Sequence, residues 1–342
     1  MSQLQLGLLI LGGLLLLGMA AYNFWLWRNS LPRQAVTARA NDPGTFGHEP
    51  SLDAEVVEDG AFALPTPEKK PGLDALIDVI APISLESPVS GDAVLAALPS
   101  TRRVGSKPVA IECLNASSGR WEFAQAGQRY TQLQAGIQLA NRSGALNDIE
   151  FSEFIIKIQA FCDALGGTPD FPDMRQEVAR ARELDQFASD HDAQLGFVLR
   201  AKRAAWSPSY IVQMAARLGF VAGSMAGRMV VPASLANQPP ILSMGFDTQA
   251  ALADDPTQSA LREITLSLDV PHVERGERPF ARMCEAAIAL ARDMDGVVTD
   301  DNGVALPPEA MDVIAAELEH LYDTLDQREL SAGSVLARRL FS

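Results

Sequence analysis

Residues Asp293–Met311 read DMDGVVTDDNGVALPPEAM. Val297-Val298-Thr299 and Val304-Ala305 are short β-type runs, and the Asn302-Gly303 pair between them is a strong hairpin signal, because the tight turn needs positive φ at its centre. Pro307 and Pro308 then open a helix whose apolar face is Met311, Ile314, Ala315, Leu318, Leu321, Tyr322 and Leu325, running to about Asp326. A hairpin that feeds an amphipathic helix predicts an antiparallel sheet with helices on one side, an α+β arrangement.

The preceding residues extend the same plan. Leu195–Lys202 reads as a strand. Ser207 is placed to cap a helix with Pro208 at its first position, running to Leu218 and stopped by Gly219. Arg228–Ala233 and Ile241–Phe246 are strands separated by a Pro/Asn loop. Ile264–Val270 alternates, with Ile264, Leu266, Leu268 and Val270 on one face. Pro279–Met294 carries Phe280, Met283, Ala287, Leu290 and Ala291 at helical spacing.

The first half follows a similar order. Leu76–Leu85 is a strand and Ser90–Leu98 a short helix. Val109–Leu114 pairs with Arg120–Phe123 around Ser118-Gly119, and Leu133–Leu139 alternates. Asn147 caps a helix with Phe151, Phe154, Ile155, Ile158 and Cys162 on its face, ended by Gly166-Gly167. A further helix opens at Pro172. The segment GGTPDFPD stands where the second half has its hairpin. The pattern predicts a tandem duplication; a single mixed α+β domain has the same alternation of elements.

Ahead of this lies Leu6–Trp27, a run of 22 residues without a charge. About 20 apolar residues span a bilayer, and Tyr22, Trp25 and Trp27 form an aromatic belt at one end. A cleaved signal peptide is the rival reading, but no Lys or Arg precedes the run, and the run exceeds the usual h-region. Arg28, Arg33 and Arg39 follow it, which places the C-terminal side in the cytoplasm and residues 1–5 in the periplasm. Residues 28–72 are rich in Pro and acidic side chains and read as a disordered, extended tether. The expected organisation is therefore a transmembrane helix at 6–27, a linker at 28–72, α+β units at 73–189 and 190–330, and a tail at 331–342.

The net charge of −15 leaves no basic stripe for phosphates and excludes nucleic acid as a partner. Cys113, Cys162 and Cys284 are far apart, as are the four histidines, so neither a disulfide framework nor a metal site is signalled. No nucleophile, phosphate-loop, dinucleotide or zinc motif occurs, and no cofactor is expected. Asp300-Asp301 abuts the predicted turn, where Asp favours turn formation. An open sheet face is a better working surface than a catalytic pocket. Met and small residues gather at Met225–Val231 and Leu242–Phe246; Met suits an adaptable binding surface, and equally an ordinary core.

Three segments together resemble the C-terminal domain of the ZipA family, membrane-anchored cell division proteins that bind FtsZ. They are RLGFVAGSM at 217–225, LDVP at 268–271 and the 293–311 stretch before its closing helix. The resemblance covers Asp190–Asp326 and the anchor, and residues 73–189 have no counterpart in the family layout. It implies two ZipA-like split β-α-β units if the halves are duplicates, and an apolar groove on the open sheet face that takes the FtsZ C-terminal peptide. The implied groove residues are Val198, Met225, Met229, Gly245, Phe246 and Ser267. Asp247 and Ser267 stand where the family has Met and Phe. The implied role is non-enzymatic: tethering FtsZ polymers to the bacterial inner membrane. A membrane-anchored adaptor for another cytoplasmic partner is the alternative.

Overall fold

The structure is a computed structural model that describes residues 72–235, 238–253 and 259–342. The expected anchor at 6–27 and the linker up to residue 71 lie outside the described residues. Among the described residues no helix is long and apolar enough to cross a membrane.

The chain divides into two compact units. The described part of the proximal unit is Gly72–His191 together with the last four residues, Arg339–Ser342; the distal unit is Asp192–Arg338. The last four residues of the segment read as a tail are therefore part of the proximal unit.

In the proximal unit the elements are β1 (Asp78–Ser90), α1 (Gly91–Ala97), β2 (Arg103–Val104), β3 (Lys107–Asn115), β4 (Trp121–Glu122), β5 (Arg129–Gln138), β6 (Ala140–Asn141), β7 (Gly144–Ala145), α2 (Asp148–Leu165), β8 (Gly167–Pro169) and α3 (Met174–His191). The sheet runs β2-β3-β5-β1-β8, with β4 also on β3, and the pairings are antiparallel. Asn147 closes a capping box with Glu150 at the start of α2, and Gly166 ends the helix at φ 66°. The GGTPDFPD segment is not merely a connection: Gly167–Pro169 pairs with Ile83–Leu85. A side chain at Gly167 would press on Ile83, so a glycine lets the two strands close.

In the distal unit the elements are β9 (Gln194–Ala201), α4 (Pro208–Ala216), β10 (Val221–Ala222), β11 (Arg228–Val231), β12 (Leu242–Gly245), α5 (Thr248–Ala251), β13 (Glu263–Asp269), α6 (Pro279–Met294), β14 (Gly296–Thr299), α7 (Pro308–Gln327) and α8 (Val335–Leu340), whose last two residues fall in the proximal unit. The sheet order is β10-β11-β12-β13-β9-β14. The Ser207 hydroxyl accepts from the Tyr210 amide at 3.2 Å and caps α4. The second arm of the predicted hairpin reduces to one bridge, Thr299 with Ala305. Its turn is held by Asp300, whose carboxylate accepts from the Val304 amide at 2.7 Å. Pro307 and Pro308 have no N–H to extend a second strand.

The distal core lies where β9, β13 and β14 pack under α6. Phe197 meets Phe280 edge-on with ring centroids 6.1 Å apart. Leu199, Leu266, Met244, Ile264 and Leu268 complete that buried face. Replacing Leu266 by Ala is expected to destabilise the distal unit by about 3 kcal/mol. Ser267→Ala, one residue along and on the other face, is expected to change stability by less than about 0.5 kcal/mol. Urea denaturation of the two variants checks the face assignment.

Candidate functional site

Strand alternation turns the neighbours of those core residues to the opposite side of the distal sheet. Pairing arranges them in cross-strand rows: Val230, Ser243, Ser267 and Gly196 in one, then Arg228, Gly245, Thr265, Val198 and Thr299 in the next. Glu263, Arg200 and Val297 form a third. The centre of this face is built from Gly, Ser and Thr, with Val198 and Val230 as its aliphatic members. Around Gly245 the space is open: among the described residues nothing lies within 4 Å of where a Cβ would stand. Small side chains leave the strand backbone close to the surface, which makes a shallow trough for an extended chain.

The loop after β14 borders one end of the trough. The Asp301 carboxylate comes within 3.3 Å of where a Gly196 Cβ would stand, so Gly196 makes room for it. The Arg200 guanidinium lies against Gly303, with Glu263 at 3.7 Å. The Thr299 hydroxyl is turned inward and donates to the Val198 carbonyl at 3.2 Å. The trough thus has a polar rim and an uncharged floor.

The residues named from the sequence are distributed unevenly. Val198, Gly245 and Ser267 share the face turned away from α6; Ser267 is exposed there, Gly245 is half-buried, and Val198 is only 9% exposed. Met225 lies in the turn between β10 and β11 and is 59% exposed. Phe246, just beyond β12, is half-buried and donates its amide to the Gly227 carbonyl. Met229 points the other way: it pairs with Met244 on the helix-covered side and is 4% exposed, so it is a core residue. Asp247 caps α5 through the Gln249 amide at 2.9 Å. Ser243, Thr265, Gly196 and Val230 were missed, because apolar patterning marks the buried face and their own signal is only the complementary alternation.

Among the described residues, the distal groups that burial displaces most lie on the helix side: the Cys284 thiol is pushed up to about 11 and the Tyr322 phenol up to about 12. Both line an apolar cleft of about 420 Å³ between α6 and α7, with Phe280, Ile288, Met311 and Leu318. Among the described residues no cluster of His, Cys, Asp or Glu is placed to hold a metal ion.

Residues 197–317 match the family described as ZipA, C-terminal FtsZ-binding domain, which is a protein-binding family of cell division and not an enzyme family. No curated protein matches the chain. Among solved structures, one titled "Structure of FgChi7B" aligns at 11% identity and a TM-score of 0.21, over 76% of this chain and 56% of that one. At that score the likeness carries no argument about fold.

Because nothing crowds Gly245 and a β-branched residue suits a strand, Gly245→Val is expected to keep the distal unit's stability within about 1 kcal/mol of the parent. Thermal unfolding followed by circular dichroism measures this.

Proposed function

We propose, from a distal unit whose residues 197–317 match the ZipA C-terminal domain family, that this chain binds the C-terminal peptide of FtsZ on the open face of the distal sheet. The observation that carries the reading is the trough of small residues around Gly245, Thr265, Ser267 and Val198, left uncovered by α6. An extended peptide lying there reaches the strand backbone closely and packs its apolar side chains against Val230, the accessible edge of Val198 and the exposed Met225 of the β10–β11 turn. Phe246 flanks the trough. Met229 supports it from below and does not line it.

We infer further that Leu6–Trp27 anchors the chain in the inner membrane, with a periplasmic N-terminus and both α+β units in the cytoplasm. A short peptide on a shallow trough binds weakly by itself. A polymer that offers many copies of the peptide to many anchored chains binds by avidity, within the reach of the 28–72 tether. The proximal unit is best read as a duplicate. Its strands β3-β5-β1-β8 and the distal β12-β13-β9-β14 follow one spatial order, and in each unit a helix precedes and follows the last of the four strands.

Titration of the full chain with a synthetic FtsZ C-terminal peptide tests this. Met225→Glu and Gly245→Val are each expected to weaken binding at least ten-fold, about 1.4 kcal/mol, and Met229→Leu is expected to leave it unchanged. Equal affinity in all three variants would place the peptide elsewhere. Failure of the parent chain to bind would favour the adaptor reading, in which Ser267 and Asp247 suit a different partner.

A further inference from the structure

Among the described residues, the open side of the proximal sheet is covered where the distal one is open around Gly245. Its buried face carries Val79, Ala81 and Ile83 beside Ile137, Ala135 and Leu133. The opposite face presents Ile80, Pro82, Gly136, Gln134, Ala110 and Glu112. Two segments from the ends of the described chain lie there. Leu73 packs on Gly136, where any side chain would collide with it. The Gly72 and Leu73 amides donate to the buried Glu112 carboxylate, which also accepts from the Gln134 amide group at 2.8 Å.

The C-terminal residues complete the cover. The Arg339 guanidinium pairs with Asp78 at 2.5 Å and donates to the Gly72 carbonyl. Its own carbonyl accepts from the Gln138 side chain at 2.7 Å. The Ser342 carbonyl accepts from the Arg142 amide at 3.1 Å. Leu340 and Phe341 are at most 1% exposed. A segment held by a charge pair, two hydrogen bonds to its carbonyls and two buried apolar side chains has the features of a docked peptide.

We propose that the proximal sheet carries a docking site for an Arg-Leu-Phe segment, which the chain fills in cis with its own residues Arg339–Ser342. Asp78 is the recognition residue. Its side chain has no exposure, and burial raises its pKa while the Arg339 charge opposes the rise. An unpaired buried carboxylate is costly, so the site favours a cation at this position. Arg339 also reaches the Gly72 carbonyl, beside the Leu73 that covers Gly136. The proposal is independent of what the distal unit binds.

The full chain shortened to end at Arg338 is titrated with a fluorescent synthetic peptide of residues 336–342. Saturable binding to the shortened chain, at least ten-fold weaker binding to the intact chain, and at least ten-fold weaker binding of an Arg339→Glu peptide are expected. A shortened chain with native circular dichroism that ignores the peptide, or binds both peptides alike, overturns the proposal. Should the shortened chain lose its fold, Arg339→Glu in the intact chain decides. Hydrogen exchange at the Arg142 amide is expected to accelerate at least ten-fold, with the Leu199 and Leu266 amides unchanged. Unchanged exchange at Arg142 overturns the proposal.

Discussion

The distal unit depends on one constraint: an antiparallel sheet that buries a single face. Phe197, Leu199, Leu266 and Met244 point toward α6, and period-two geometry then obliges Gly196, Val198, Ser267 and Gly245 to point away. Burying the first set supplies the main apolar driving force for the unit. The second set is free of that duty, and small residues on it keep the strand backbone accessible. The proposed binding surface is in this sense a by-product of the core, and its precision is that of the strands themselves.

The two units treat the equivalent surface differently. Distally, Gly245 looks onto open space. Proximally, Gly136 is capped by Leu73, and the buried Glu112 is satisfied by the amides of the incoming chain. The sheet face is thus open around Gly245 in one unit, and in the other is a seat for the segments at residues 72–73 and 339–342. A buried Asp78 needs its Arg339, so the last residues contribute to proximal stability although they are nearly 150 residues from His191 in sequence.

Much of the fold is legible locally. Asn147 and Glu150 announce α2, Ser207 and Pro208 announce α4, and the helical spacing from Phe280 to Leu290 defines α6, because each signal lies within a few neighbouring residues. Strand β8 is not legible this way. Its Gly-Thr-Pro has no apolar alternation, and only pairing with Ile83–Leu85 makes it a strand. The site shares that limit. Met229 and Val230 differ by one position, and only the pairing of Met229 with Met244 decides which of them faces the helices. The role of Arg339 depends on contacts more than 200 residues apart, beyond any local pattern.

The central claim is that a peptide is held on the uncovered distal sheet and not in the apolar cleft between α6 and α7. The most direct measurement is photo-cross-linking of the full chain with an FtsZ C-terminal peptide that carries a photoreactive aromatic residue, with the cross-links mapped by mass spectrometry. Cross-links in segments 196–200, 225–230, 243–247 and 263–267 are predicted. Cross-links concentrated on Phe280–Ile288 and Met311–Tyr322 would contradict the account.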